Sequence, residues 1–315
     1  MKKHPYARAC LKFLLNLFLC SVLLYLLLYL SPGNPALAYL RRSNSLITTE
    51  TLKQAQAQLG LSDNFFIDYG RWLMKVLSGN LGQSFSTGAP VAKILVERLR
   101  VTGLEVVIGF IISLPLSLFL GFFVGYLPKK HIYRPMLILL TILLSLPIYW
   151  LALLLIYFFG FKLQLLPFVG SASLKHLVLP IMANVIPATA LASKLIAELV
   201  QDLRKKECHQ IAKYRKIKRR YRLYYVLVDL SIPLVTIIGY IFLGLLGGTY
   251  LIEQIFSISG LGKLLLDAIY ARDYPLVLAA GLLTSFVTFL VYFLTDLILI
   301  RLNGQPEKEE DALVQ

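Results

Sequence analysis

Six apolar runs dominate the chain, from Leu11 to Leu30, Leu104 to Leu127, Met136 to Phe159, Leu177 to Ala197, Ile232 to Ile252 and Leu276 to Ile300. Crossing ~30 Å of hydrocarbon takes about 20 apolar residues in a helix, which satisfies its own backbone hydrogen bonds where water is absent. Each run is therefore read as a transmembrane helix. The fold class that follows is all-α, a polytopic membrane protein with six transmembrane helices.

The polar stretches between these runs carry their own signals. Ser31 to Pro35 (SPGNP) holds two prolines and a glycine and ends the first span. Thr48 or Thr49 suits the N-cap of a helix through Thr51 to Leu59, which stops at Gly60. A second short helix is predicted from Phe65 to Leu77, with Trp72 and neighbouring aromatics suited to a membrane interface. Ser84 to Pro90 is a turn-rich link, after which Val91 to Arg100 leads as a helix into the second span. Pro115, Pro147, Pro180, Pro187 and Pro233 fall inside spans, where each removes a backbone donor and kinks its helix. Packing explains them more simply than gating, since proline is commoner in membrane helices than in soluble ones.

Composition narrows the class. With 57% hydrophobic and 16% charged residues over 315 positions, the chain is too apolar to solvate its surface as an ordinary globular protein. The net charge of +15 would suggest nucleic acid on a soluble domain, but the excess sits in loops beside the apolar runs. From Arg204 to Arg222, nineteen positions hold ten of the 32 basic residues. The positive-inside rule places this loop in the cytoplasm together with Lys2, Lys3, Arg8, Lys12, Lys129, Lys130, Arg134, Arg301 and Lys308. Both termini then lie inside a cytoplasmic (inner) membrane. The chain reads as an N-terminal tail and first span (1–30), an extracytoplasmic segment (31–103), a five-helix core (104–301) with a cytoplasmic loop at 198–225, and a cytoplasmic tail (302–315). Lys2, Lys3, an apolar run and Ala36 to Ala38 also imitate a cleavable signal peptide, but an apolar core of about 20 residues exceeds the usual 7 to 15 and favours retention.

Candidate chemistry is sparse. Cys10, Cys20 and Cys208 fall in inner or membrane segments and suggest no disulfide framework. Four scattered histidines, no Cys or His pairing at ligand spacing and no HExxH give no expectation of a metal site. Gly260 to Lys263 imitates a phosphate loop, yet Leu264 replaces the magnesium-binding hydroxyl and Ser257 stands where the upstream glycine belongs. No GxSxG elbow or catalytic triad is present, so the chain is read as no enzyme. Of the ionisable groups at membrane depth, Asp296, Glu105, Lys194 and Asp229, only Asp296 sits well inside a span; a structural pairing is favoured for it over a proton relay.

Within the basic loop, Cys208, Ile211, Tyr214, Ile217, Tyr221 and Tyr224 recur at three- and four-residue intervals with Lys and Arg on the other faces. That pattern predicts an amphipathic helix. Periodicity alone fits two placements, on anionic headgroups or with an apolar ridge in a partner's groove.

Gly247 to Pro275 (GGTYLIEQIFSISGLGKLLLDAIYARDYP) closely resembles the segment before the last span in ABC importer permeases of the dipeptide, oligopeptide and nickel class. Ser31 to Pro35, Leu59 to Leu61, Tyr69, Trp72, Leu73 and Gly79 to Ser84 are similar to that family's post-span turn and external segment, so the resemblance covers most of residues 8 to 301. Glu207 to Lys216 (ECHQIAKYRK) occupies the place of the family's EAA motif, a short helix that docks on the ATP-binding subunit, with Pro233 at the downstream proline position.

The resemblance implies a type I ABC importer permease fold and a set of partners: a homologous second permease, two cytoplasmic ATPases that bind ATP and Mg, an extracytoplasmic solute-binding protein and membrane lipid, but no nucleic acid. No cofactor is implied for this chain. Glu207, Ala212, Arg215 and Lys216 are the implied ATPase contacts. Glu253, Phe256, Gly260, Leu261, Gly262, Asp267, Arg272 and Asp273 are the implied outer loop or gate, with Phe256 and Leu261 as an apolar lid and Asp267, Arg272 and Asp273 facing the second permease or binding protein. A tight re-entrant turn at Gly260 and Gly262 alone explains that pattern, and loop architecture is favoured over ligand contact. Lys216 stands where the family turns on glycine and Tyr214 where it has a small alanine; a lysine there is expected to need negative φ or a continued helix. The rival readings are a proton-coupled carrier built on Asp296 and a membrane scaffold using the basic helix.

Overall fold

The computed structural model describes residues 5–31, 35–42, 48–59, 64–127, 130–170 and 173–303. Pro32 to Asn34 of the proline turn, the stop at Gly60, Leu61, the cations Lys2, Lys3, Lys129 and Lys308, and the tail from Gly304 lie outside the described residues. The described chain is helical: α1 (Pro5–Leu30), α2 (Pro35–Arg42), α3 (Thr49–Leu59), α4 (Phe65–Leu77), α5 (Val91–Gly125), α6 (Lys130–Ser145), α7 (Ile148–Leu155) continuing as a π-helical segment (Ile156–Lys162), α8 (Leu174–Lys205), α9 (Glu207–Tyr214), α10 (Arg219–Ile255), α11 (Leu261–Tyr270) and α12 (Tyr274–Asn303). No strand occurs among these residues; Gln83 and Pro90 form an isolated antiparallel bridge.

Five helices, α1, α5, α8, α10 and α12, are long and apolar enough to cross a bilayer as single rods. The expected continuous span from Met136 to Phe159 is corrected: its helices meet at a bend of 90°. Pro147 stands at the break as the residue before α7, with φ −58°. It has no amide to donate, and its ring disfavours helical geometry at Leu146, which suits a break at this position. Pro115, Pro180, Pro187 and Pro233, by contrast, sit inside helices that continue through them.

The chain divides into two compact units, one of residues 1–9, 103–258 and 291–315, the other of residues 10–102 and 259–290. In the first, α8 packs against α6, α7 and α10. Glycine sets the closest approaches. A Cβ at Gly121 would lie 2.6 Å from Ile196 Cβ, and one at Gly125 would lie 2.7 Å from Val200 Cβ, so α5 meets α8 across small residues as tightly packed membrane helices do. Asn184 of α8 donates from Nδ2 to the Leu245 carbonyl of α10 at 2.8 Å, which satisfies a buried amide between helices.

In the second unit, α4 is fixed to α1 by aromatic side chains. Tyr25 lies 5.7 Å from Phe65, 5.6 Å from Tyr69 and 5.4 Å from Trp72, centroid to centroid, and Tyr69 hydroxyl meets Ser21 Oγ at 2.8 Å. Trp72, expected at a membrane interface, thus also packs within the chain. Asn64 Oδ1 caps α4 by accepting from Phe66 N at 3.0 Å. Thr48 caps α3, its Oγ1 accepting from Thr51 N at 3.1 Å while Thr51 Oγ1 accepts from Thr48 N at 2.9 Å. That reciprocal pair is a capping box in which threonine takes the usual glutamate position.

Candidate functional site

The basic loop does not form the single amphipathic helix expected from its periodicity. It folds as the eight-residue α9, a turn, and the first turns of α10. Arg215 N donates to Ile211 O at 2.8 Å and Ile217 N to Ala212 O at 3.1 Å. The second bond spans six residues and closes a Schellman motif, whose left-handed position falls on Lys216 with φ 52°. The expectation of negative φ at this lysine is corrected. The helix-ending hydrogen bonds need the left-handed turn whatever side chain stands there, and lysine accepts the steric cost.

On α9, Glu207 opens the helix at its positive end and is exposed, and Arg215 and Lys216 are exposed beyond its last turn. Ala212, the small residue of the motif, is buried at 7% and turned against its own chain. Ile211 and Tyr214 are exposed at 49% and 80%. The apolar ridge available to a partner is therefore Ile211 and Tyr214, legible earlier only as part of a periodicity.

Several charges of the loop are already engaged. Arg204 Nη1 donates to the Gly125 carbonyl at 3.0 Å and stacks its guanidinium 5.1 Å from the Tyr126 ring, while Gln201 Nε2 donates to Leu127 O at 3.2 Å. These side chains of α8 take up carbonyls at the C-terminal end of α5, the end that favours cations. Lys205 pairs with Asp202 at 2.8 Å on an exposed face. Asp229 of α10 meets the loop: its Oδ2 lies 2.8 Å from His209 Nε2. Cys208 brings its thiol to the same place, so that sulfur, imidazole and carboxylate donor atoms all lie within 4.8 Å of one another. Sequence spacing concealed this cluster, because its third member is twenty residues away on α10.

The segment from Glu253 to Asp273 contributes to both units. In the first, Glu253 and Phe256 are fully buried at the end of α10, and Phe256 O accepts from Gly170 N at 2.8 Å. In the second, Leu261 is buried with Val91, Leu95, Ala268 and Leu276, and its amide donates to Thr102 Oγ1 at 2.7 Å. The re-entrant turn expected at the glycines is corrected: Gly260 precedes α11 in extended geometry, with φ −96°, and Gly262 lies inside the helix. Left-handed backbone falls instead on Ser257 and Arg272, with φ 54° and 52°.

Asp267 and Arg272 are exposed. Asp273 is not: at 0% exposure it accepts hydrogen bonds from Ser84 Oγ, from Ser86 Oγ at 2.7 Å, from Ser86 N at 3.0 Å and from Phe85 N at 3.1 Å. Burial alone would raise its pKa, but these donors from the Ser84 and Ser86 side chains and the Ser86 and Phe85 amides outweigh burial and hold the carboxyl below its ordinary range. This aspartate organises its own chain.

Two carboxylates sit apart from any loop. Glu105 of α5 is 4% exposed with neither carboxylate oxygen hydrogen-bonded to a described residue, and Glu253 of α10 lies close enough for the two charges to interact. Asp296 of α12 is half-buried and has no hydrogen bond or ion pair to another described residue, so the expected structural pairing is absent there.

A family model described as "Binding-protein-dependent transport system inner membrane component" matches residues 117–303, more than half of the chain. A second, "Binding-prot-dependent transport system membrane comp, N-term", matches residues 6–105. The nickel import system permease protein NikB of Staphylococcus aureus, in strains MRSA252, USA300 and COL, is 29% identical to this chain over 288 residues, covering 91% of the chain and 87% of each relative.

Proposed function

Since the chain belongs to the family of binding-protein-dependent transport system inner membrane components, we propose that it lines half of an import pathway and is driven through α9 by separate cytoplasmic ATPases. It is a permease subunit of an ABC importer, an all-helical multi-pass membrane protein. In the proposed assembly a homologous permease encloses the other half of the pathway, and an extracytoplasmic binding protein delivers the solute. ATP and Mg bind the ATPases, not this chain. Both termini and the basic loop face the cytoplasm of an inner membrane, a reading the charge distribution supports. The cargo is a peptide or a comparably small solute, nickel included, in keeping with the class of the relatives.

One observation carries this reading. Between two long spans the chain presents a helix of eight residues with Ile211 and Tyr214 exposed on it, bounded by Glu207 and by Arg215 and Lys216. A short rigid helix with an apolar ridge and a charged rim is the form a groove on a soluble partner accepts.

The test is co-purification in mild detergent followed by uptake into proteoliposomes. Stoichiometric recovery of an ATPase that is lost in the Ile211→Ala/Tyr214→Ala double variant, with uptake that needs ATP, is the expected result. Solute uptake by the purified chain without any ATPase, abolished by Asp296→Asn, would establish the carrier reading in its place.

A further inference from the structure

The cluster at the junction of α9 and α10 has no part in the reading above. Cys208 and His209 occupy the first turn of α9, and Asp229 lies on α10. A sulfur, a nitrogen and an oxygen donor lie within 4.8 Å of one another. The His209 side chain is 9% exposed and the Asp229 side chain 40%. Cys208 is exposed.

We propose that Cys208, His209 and Asp229 form a binding site for a divalent transition-metal ion of the zinc, cobalt or nickel class. The donor set selects the ion. Thiolate and imidazole suit borderline and soft cations, whereas calcium and magnesium require oxygen ligands throughout. The geometry is also within reach. An ion held at about 2.0 to 2.3 Å from tetrahedral ligands sets those ligands ~3.3 to 3.8 Å apart. The observed spread, up to 4.8 Å with His209 and Asp229 at 2.8 Å, brackets that range. Coordination releases the thiol proton to solvent past the exposed sulfur, leaving three protein ligands and a fourth position open to water.

A bound ion exchanges one hydrogen bond for a three-point clamp across the turn at Lys216. It thereby fixes α9, with Ile211 and Tyr214, to α10 at Asp229. This binding claim is independent of cargo and of any ATPase.

The experiment uses the full-length chain without a polyhistidine tag, in lipid nanodiscs, on a Cys10→Ser/Cys20→Ser background that leaves Cys208 as its cysteine. Cobalt(II) chloride is the probe. Binding of one equivalent is expected, with thiolate-to-cobalt charge-transfer absorption in the near ultraviolet and intense visible bands of low coordination number. Cys208→Ser removes the charge-transfer band, and His209→Ala and Asp229→Asn each weaken binding by at least about tenfold. Because Cys208 is exposed, its substitution leaves folding intact, which circular dichroism of each variant checks. Absence of the charge-transfer band at saturating cobalt, or affinity unchanged in both His209→Ala and Asp229→Asn, overturns the site and leaves the permease reading standing.

Discussion

Asp273 and Ser86 are bonded twice, through Ser86 Oγ at 2.7 Å and Ser86 N at 3.0 Å, on a carboxylate with no exposed surface. With Ser84 Oγ and Phe85 N added, the aspartate satisfies donors along a turn whose own hydrogen bonds run from Ser84 N to Ala89 O and from Gly88 N to Ser84 O. Asp273→Ala strands these donors together, and a buried donor left unpaired costs about 1 to 3 kcal/mol, so a total loss of ~3 kcal/mol is expected. Thermal unfolding of the detergent-solubilised chain measures it. Faster proteolysis within residues 84–90 should accompany the drop. A variant as stable as the parent would show that the turn is held by other means.

The same carboxylate predicts a pH dependence with a definite sign. Its folded-state pKa lies below the ordinary 3.8, so the ionised form is the one the fold favours. Its contribution is therefore complete above the unfolded value and is lost as pH falls through the folded one. Stability of the parent chain and of Asp273→Asn, followed from neutrality down to pH ~3, should converge only below about pH 4. A gap of constant size across that whole range would sink the assignment.

Lys216 carries a third prediction. It pays the cost of φ 52° so that Ile217 N can reach Ala212 O at 3.1 Å and end α9. Glycine has no Cβ to oppose that geometry, and the Schellman position prefers it. Lys216→Gly is expected to stabilise the end of α9 by about 0.5 to 1 kcal/mol, since the steric relief of ~1 to 2 kcal/mol is partly offset by the added chain entropy of glycine in the unfolded state. Slower hydrogen exchange at the Arg215 and Ile217 amides is the readout. Faster exchange there would mean that the lysine side chain itself secures the turn.

How far the sequence discloses this molecule depends on the range of the interaction involved. Spans and the short helices at Thr49–Leu59 and Phe65–Leu77 are decided by neighbours a few residues away, and hydrophobic runs, with a Thr before the first of these helices, suffice to place them. The break at Pro147 required more. The same residue type at Pro180 and Pro187 stays within a continuous helix, so the surroundings and not the proline alone decide between a kink and a 90° bend.

The candidate site shows the same limit. Glu207 to Lys216 was recognisable by position, but whether Ala212 or Ile211 faces outward depends on how α9 lies against its own chain. Cys208 and His209 acquire meaning only once folding brings Asp229 beside them. Asp273 reads as an exposed loop acid until residues 84–86 close over it.

Glu105 is the residue whose environment fits its chemistry least. Among the described residues neither carboxylate oxygen finds a hydrogen bond at 4% exposure, and Glu253 adds a second acid nearby. Folding strips water from this group and returns nothing to it, and such a loss costs about 1 to 3 kcal/mol, more for an ionised group. An apolar side chain of similar length needs no partner and fills the same space, so Glu105→Met is expected to raise stability by ~1 to 2 kcal/mol, opposite in sign to most core substitutions. Groups kept against stability are those that function retains, and the companion expectation is slower ATP-driven uptake by the reconstituted Glu105→Met transporter. The two readouts separate the causes. A stabler chain with undiminished uptake makes the carboxylate dispensable, whereas a destabilised one would reveal that Glu105 has a partner in the assembled importer.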